Sequence, residues 1–323
     1  MKNWLTYLLA SVLGALFFLV FGTEAWFGPL VDTAVSVIVK FCTAAFPVTV
    51  FFTLCAATAS FASRRDIGGK TLLFTVVWGL ASSLLLCLAA TAFNRLFPNT
   101  IDTGSAVALG TPTLSRLALA AITALVLGFA LRPTSKIFNE AYKLSNSLSE
   151  VVFRLCKDVS RIWWIAVFFL SAKQAPAIPT MGLAAVCLTV VCASGLLPLL
   201  YCVFTGFRVN PYKKIIRLLP ALVPAFFGAS AEAAFIPLYV CERNNLGIQK
   251  RVAALTIPLG RIFSRGGTLA VAVLAGSNPR AIFLLPLLAP AGALLDVLCT
   301  GLGASVCAKL TKADCEICRE DLI

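Results

Sequence analysis

The sequence predicts an all-α protein whose solvent is the lipid bilayer, and three observations carry that prediction. Of its 323 residues 59% are hydrophobic and only 13% charged, with a mean hydropathy of +0.93, against about 25% charged in ordinary globular domains. Apolar runs recur from end to end, and roughly 20 such residues suffice for a helix to cross the ~30 Å hydrocarbon layer. Lys and Arg stand at the ends of these runs. The net charge of +13 therefore reads as the positive-inside bias of membrane loops. A nucleic-acid footprint would need a basic patch with aromatic partners.

The first run, Trp4 to Val20, follows a single charge, Lys2. It has the look of a signal peptide, but it is long for one and no clean small-x-small cleavage site follows it before Pro29, so it is read as a span. Six spans are expected, at about residues 4–22, 30–63, 71–93, 113–131, 150–172 and 180–206. With the N-terminus inside, the inward loops hold Arg64, Arg65, Lys70, Arg132, Lys136, Lys143, Arg154, Lys157, Arg161, Arg208, Lys213, Lys214 and Arg217. The outward loops hold Arg95 and Lys173. That bias sets the orientation, with both termini cytoplasmic in a plasma membrane of bacterial inner-membrane type. Lys143 to Lys157 reads as an amphipathic lead-in to the fifth span. Glu24, Asp32 and Lys40 read as interfacial, and Trp163 and Trp164 as part of an aromatic belt.

Beyond Arg217 the pattern changes. Leu218 to Cys241 is apolar yet carries Pro220, Pro224, Gly228, Glu232 and Pro237, with Arg243, Lys250 and Arg251 beyond it. A full crossing would put that second basic cluster outside, whereas a hairpin that dips in and returns keeps both clusters inside. Residues 213–243 are therefore expected to form a re-entrant helical hairpin with its tip near Ala229 to Ala234, which requires cover by protein or a water-filled cavity. The next span, about 252–275, is broken at Ser264-Arg265-Gly266-Gly267, since adjacent glycines are poor helix material. The last runs from about Ala281 to Leu310, interrupted by Pro286, Pro290 and Gly292, and residues 311–323 form a cytoplasmic tail.

The twelve cysteines are scattered singly from Cys42 onward, apart from Cys315-x-x-Cys318, and there is no histidine. That is neither a disulfide framework nor a zinc site, so reduced thiols, no metal and no cofactor are expected. The lack of histidine also excludes Ser-His and His-metal chemistry. Three charges stand at membrane depth, where they are costly and usually face a cavity or a partner: Glu232, Arg265 and Asp296.

Several stretches resemble the dicarboxylate/amino-acid:cation symporter family, the glutamate-transporter fold. Gly228-Ala229-Ser230-Ala231-Glu232-Ala233-Ala234-Phe235-Ile236-Pro237 stands where the family has a serine-rich tip followed by Leu-Pro. Asn245-Leu246-Gly247-Ile248 and Thr256-Ile257-Pro258-Leu259-Gly260 match the approach to the broken helix. Ser264-Arg265-Gly266-Gly267-Thr268 takes the place of Asn-Met-Asp-Gly-Thr, and Leu294-Leu295-Asp296-Val297-Leu298-Cys299-Thr300 resembles the start of the eighth span's binding face. The likeness is specific over about 228–310.

The resemblance implies an elevator-type transporter, shortened, with residues 1–210 mainly scaffold spans and 211–310 the solute-binding part, assembled as a homotrimer in the bilayer. The solute is an amino acid or dicarboxylate, with Ser230, Glu232, Arg265, Gly267, Thr268, Asp296, Cys299 and Thr300 as binding residues. Arg265 offers a forked donor to a carboxylate or phosphate, and Glu232 or Asp296 carries a coupled proton. Equally, Arg265 forms an internal ion pair with Glu232 or Asp296. The family's sodium-binding Asn, Asp and a further Asp correspond to Ser264, Gly266 and Cys307, and the Asn that holds the amino-acid backbone corresponds to Gly303. Hard cations want oxygen ligands, so sodium coupling of the usual kind is not expected and the coupling ion is proton or sodium. Only Leu269 to Leu295 separates Thr268 from Asp296, which leaves the second hairpin reduced, within Asn278 to Ala291, or missing. The alternatives are a non-transporting scaffold and an aspartyl-type hydrolase using Glu232 and Asp296, which the absence of aspartyl motifs disfavours; no enzyme is expected.

Overall fold

The computed structural model of the chain describes residues 3–24, 26–62, 65–96, 114–131, 136–175, 182–228, 230–274 and 290–311. Among these every regular element is a helix, as a bilayer demands, because each buried N–H and C=O must be satisfied within its own segment. The helices are α1 (Asn3–Phe21), α2 (Phe27–Ala62), α3 (Arg65–Leu96), α4 (Leu114–Ala130) and α5 (Lys136–Gln174). They continue with α6 (Gly182–Val191), a π-turn (Cys192–Leu196) and α7 (Leu197–Thr205). The last group is α8 (Pro211–Phe227), α9 (Phe235–Asn244), α10 (Lys250–Phe263), α11 (Gly266–Leu274) and α12 (Pro290–Leu310). Five of the described helical stretches, Trp4–Phe21, Phe27–Phe61, Gly68–Phe93, Val186–Thr205 and Pro290–Leu310, are long and apolar enough to cross a membrane.

The helices sort into two packed groups. α1 lies on α5, and α2 lies between α4 and α5. α12 is the axis of the second group, packed on α3, α7, α8, α10 and α11, with α6 against α3. Most of its residues are buried, whereas α1 to α7 expose rows of large apolar side chains such as Leu9, Leu13, Leu84 and Leu155. α8, α9 and α10 join the groups, α8 touching α1 and α5, α9 touching α5 and α10 touching α2. Threonines inside α2 close on their own helix, Thr53 donating to the Thr49 carbonyl at 2.7 Å and Thr58 to that of Leu54 at 2.9 Å. Such back-bonding lets a hydroxyl sit in an apolar interface.

The sixth expected span is interrupted by the π-turn, which leaves the Ser194 carbonyl to accept from the Tyr212 hydroxyl at 2.7 Å, so α8 is tied to it at its start. α7 ends at Gly206, whose φ of +65° is the left-handed conformation that favours glycine at this position. Asn210 then caps α8 by accepting from the Tyr212 backbone N–H at 2.9 Å, with Pro211 in the first turn. α5 is one helix of 39 residues, about 58 Å at a rise of ~1.5 Å per residue; the lead-in and the span are continuous. Residues 278–289 of the segment read as a reduced gate lie outside the described residues, as do Cys315, Cys318 and the tail after 311; α12 itself begins at Pro290.

Candidate functional site

Pro211–Phe227 and Phe235–Asn244 are the two helices of the hairpin, and local chemistry shapes the turn at 230–234 that leads into the second. The Ser230 hydroxyl donates to Glu232 Oε2 at 2.9 Å and accepts from the backbone N–H groups of Glu232 and Ala233 at 3.2 and 3.4 Å. Ser230 therefore closes the turn and aims the Glu232 side chain. From the other helix group, the Trp163 indole donates to the Ala233 carbonyl at 2.8 Å. Trp163 is buried, and its indole pins the hairpin tip; only its neighbour Trp164 is exposed as a belt residue would be. The hairpin's base is closed too, since Asn245 Nδ2 donates to the Arg217 carbonyl at 3.0 Å.

The span after the hairpin breaks where expected, at Ser264 and Arg265. Ser264 turns out of α10 with φ −95° and ψ 58°, and Ser83 of α3 donates to the Phe263 carbonyl at 3.1 Å, which satisfies a carbonyl that the break leaves open. Gly266 and Gly267 open α11, and close approach explains them: a Cβ at 266 would stand 2.5 Å from Ser83 Cα, and one at 267 2.6 Å from Leu295 Cβ.

Asp296, fully buried on α12, is committed to α11. Its Oδ1 accepts from the backbone N–H of Gly267 at 2.8 Å and of Thr268 at 3.3 Å, and its Oδ2 accepts from the Thr268 hydroxyl. This is an N-cap supplied from another helix, placed where the first N–H groups and the helix dipole favour negative charge. Thr300 returns its hydroxyl to the Asp296 carbonyl at 2.9 Å. The Cys299 thiol lies beside Ser82, and its carbonyl accepts from the Trp78 indole at 2.8 Å.

The ion pair at the tip is made by Arg261, in place of Arg265. Arg261 Nη2 donates to Glu232 Oε1 at 2.6 Å, with side-chain exposures of only 2% and 10%. Nε and Nη1 of Arg261, and Nε of Arg265, are buried without a hydrogen-bond partner among the described residues. No described carboxylate lies within 4.0 Å of Arg265, because Asp296 is turned to α11 and Glu232 to Arg261. Two acids and two arginines thus meet between the hairpin tip, the end of α10, the break and α12. Sequence reading missed Arg261, although it stands one turn before Arg265 in the same apolar run and a charge there was the available signal. Glu242, at the far end of α9 from the tip, is also fully buried with neither oxygen hydrogen-bonded among the described residues.

Gly303 and Cys307, expected from the resemblance at a backbone-holding and a sodium-binding position, are closely packed. A side chain at Gly303 would collide with the Trp78 ring, and the Cys307 thiol lies 3.4 Å from the Thr75 hydroxyl.

Residues 115–306, more than half of the chain, match the sodium:dicarboxylate symporter family. Neutral amino acid transporter A of Homo sapiens is 29% identical over 157 residues, 45% of this chain and 29% of that protein. Excitatory amino acid transporter 1 of Homo sapiens is 35% identical over 137 residues, 38% of this chain and 24% of that protein. Neutral amino acid transporter B(0) of Homo sapiens is 31% identical over 160 residues, 45% of this chain and 28% of that protein. The matched stretches span less than a third of each of these relatives.

Proposed function

This chain belongs to the sodium:dicarboxylate symporter family, and from that premise we propose that it is a secondary carrier of an amino acid or dicarboxylate, held by its carboxylate near the hairpin tip. The observation that carries the reading is the charge cluster of Glu232, Arg261, Arg265 and Asp296, in which Arg261 and Asp296 are buried, Glu232 and Arg265 half-buried, and three guanidinium nitrogens lack partners among the described residues. A planar forked donor suits a carboxylate, and leaving it unpaired in a buried site is costly. Ser230, Gly267, Thr268, Cys299 and Thr300 frame the site, with their own polar groups largely committed to holding it in shape.

In this reading α8 to α12, with α3, α6 and α7, move as a block against α1, α2, α4 and α5 within a homotrimer. The grouping of the helices supports that division. Sodium coupling of the usual kind is disfavoured by Ser264, Gly266 and Cys307 at the expected cation-ligand positions, which leaves proton coupling or exchange. A second reading, a non-transporting membrane partner, is favoured by Trp78 and Thr75 filling the space beside Gly303 and Cys307.

Thermal unfolding of the purified chain in detergent separates the two. A solute that binds only the folded state stabilises it by RT ln(1 + [L]/Kd), about 2.7 kcal/mol at 100 times Kd. Aspartate, glutamate or succinate is expected to raise the midpoint, and lysine is not. No shift with any of these would favour the partner reading.

A further inference from the structure

We propose that the Glu232 carboxylate is a built-in stand-in for the solute's own carboxylate on Arg261: an anionic solute displaces it, and the released Glu232 takes up a proton. The inference rests on the carrier reading and deepens it by naming the coupling group and the exchange that loads it.

Four features of the geometry point this way. Glu232 holds Arg261 through a single donor, Nη2, while Nε and Nη1 have no partner among the described residues. An incoming carboxylate with two free oxygens therefore has more to offer Arg261 than the resident one. Glu232 sits on a tip of a few residues rather than within a helix, so its side chain can leave without unwinding a helical turn. Its second oxygen is held by Ser230 of the same tip, so the hydroxyl travels with it. Finally, Asp296 cannot serve as the exchanging group, because both of its oxygens are engaged at the start of α11.

The groups around Glu232 decide its protonation once it is released. Arg261 faces it from α10, Arg265 from the break and the Cys42 thiol from α2, with Asp296 of α12 in the field of the same two arginines. When Arg261 is taken by the solute, an ionised Glu232 has lost its direct partner in a buried site, which is costly. Uptake of a proton from solvent removes that charge. The balance is simple: one negative charge arrives with the solute carboxylate, one positive charge arrives with the proton, and the net charge of the cluster is unchanged.

Titration calorimetry of the purified full chain with aspartate, in two buffers of different protonation enthalpy at one pH, reads the protons taken up per solute bound. The expected result is about one proton per aspartate. Glu232→Gln removes the competing charge, so it binds aspartate about tenfold tighter with no proton uptake, and Glu232→Asp restores the uptake. Aspartate binding without proton uptake in the unmodified chain, or uptake unchanged by Glu232→Gln, overturns the inference and leaves the carrier reading standing. Should aspartate, glutamate, succinate and alanine all fail to bind the unmodified chain, both fall. The unmodified chain's stoichiometry decides the matter even if Glu232→Gln does not fold.

Discussion

At the residue scale, Asp296 commits its carboxylate to the first turn of α11, accepting from Gly267, from Thr268 and from the Thr268 hydroxyl. Asp296→Ala removes a cap and leaves buried N–H groups unmatched, so it is expected to destabilise the fold by about 2 kcal/mol or more. Asp296→Asn keeps an acceptor oxygen and is expected to cost less. The midpoint of heat-induced loss of the monodisperse peak on size exclusion ranks the two, and equal losses would contradict the capping role. That Glu232 and Asp296 are buried was legible from their place in apolar runs. Their partners were not: Arg261 and Arg265 are one turn apart, and which of them meets Glu232 depends on how far the tip reaches along α10.

At the element scale, the break between α10 and α11 was legible because Ser264 to Gly267 interrupts an otherwise apolar run. The reason for its glycines was not, since it lies in helices distant in sequence: α3 and α12 press on Gly266 and Gly267. Gly267→Ala would place a Cβ 2.6 Å from Leu295 Cβ and 2.9 Å from the Asp296 nitrogen. Overpacking of that kind costs roughly 1–3 kcal/mol, and it moves α11 off its cap. Urea or thermal denaturation should show the loss, while alanine at Gly69, which has open space around it, should show almost none. Hydropathy alone starts the fifth helix too late, because it sees only the apolar part. The lead-in makes polar contacts instead: Lys250 Nζ donates to the carbonyl and to Oδ1 of Asn146 at 3.3 Å, and where the apolar span starts Glu150 pairs with Lys250 at 2.8 Å and with Arg243 at 3.8 Å.

At the scale of the whole molecule, composition and the spacing of apolar runs made an all-α membrane protein legible, and the tip, break and last-span motifs made the family legible. The division into two helix groups was less so, because α3 precedes α4 and α5 in the chain yet packs on α11 and α12. Chain order carries no information about that choice. The expectation that the α8–α9 hairpin re-enters, drawn from the basic residues on both sides of it, makes a topological prediction. With native cysteines replaced, single cysteines at the exposed positions Arg208 and Arg251 are expected to react with a membrane-impermeant thiol reagent from the same side, in inverted but not in right-side-out vesicles. Labelling from opposite sides would mean that the hairpin crosses the bilayer.

If the charge cluster between the hairpin tip and the broken helix moves a carboxylate-bearing solute across the membrane, the most direct test is transport itself. Labelled aspartate, glutamate and alanine would be offered to proteoliposomes of the purified chain, with proton and sodium gradients imposed separately. The expected result is uptake driven by the proton gradient, indifferent to sodium and abolished by Arg261→Gln in protein that stays assembled. Well-folded protein that moves none of these solutes under either gradient, or uptake that survives Arg261→Gln unchanged, would contradict it.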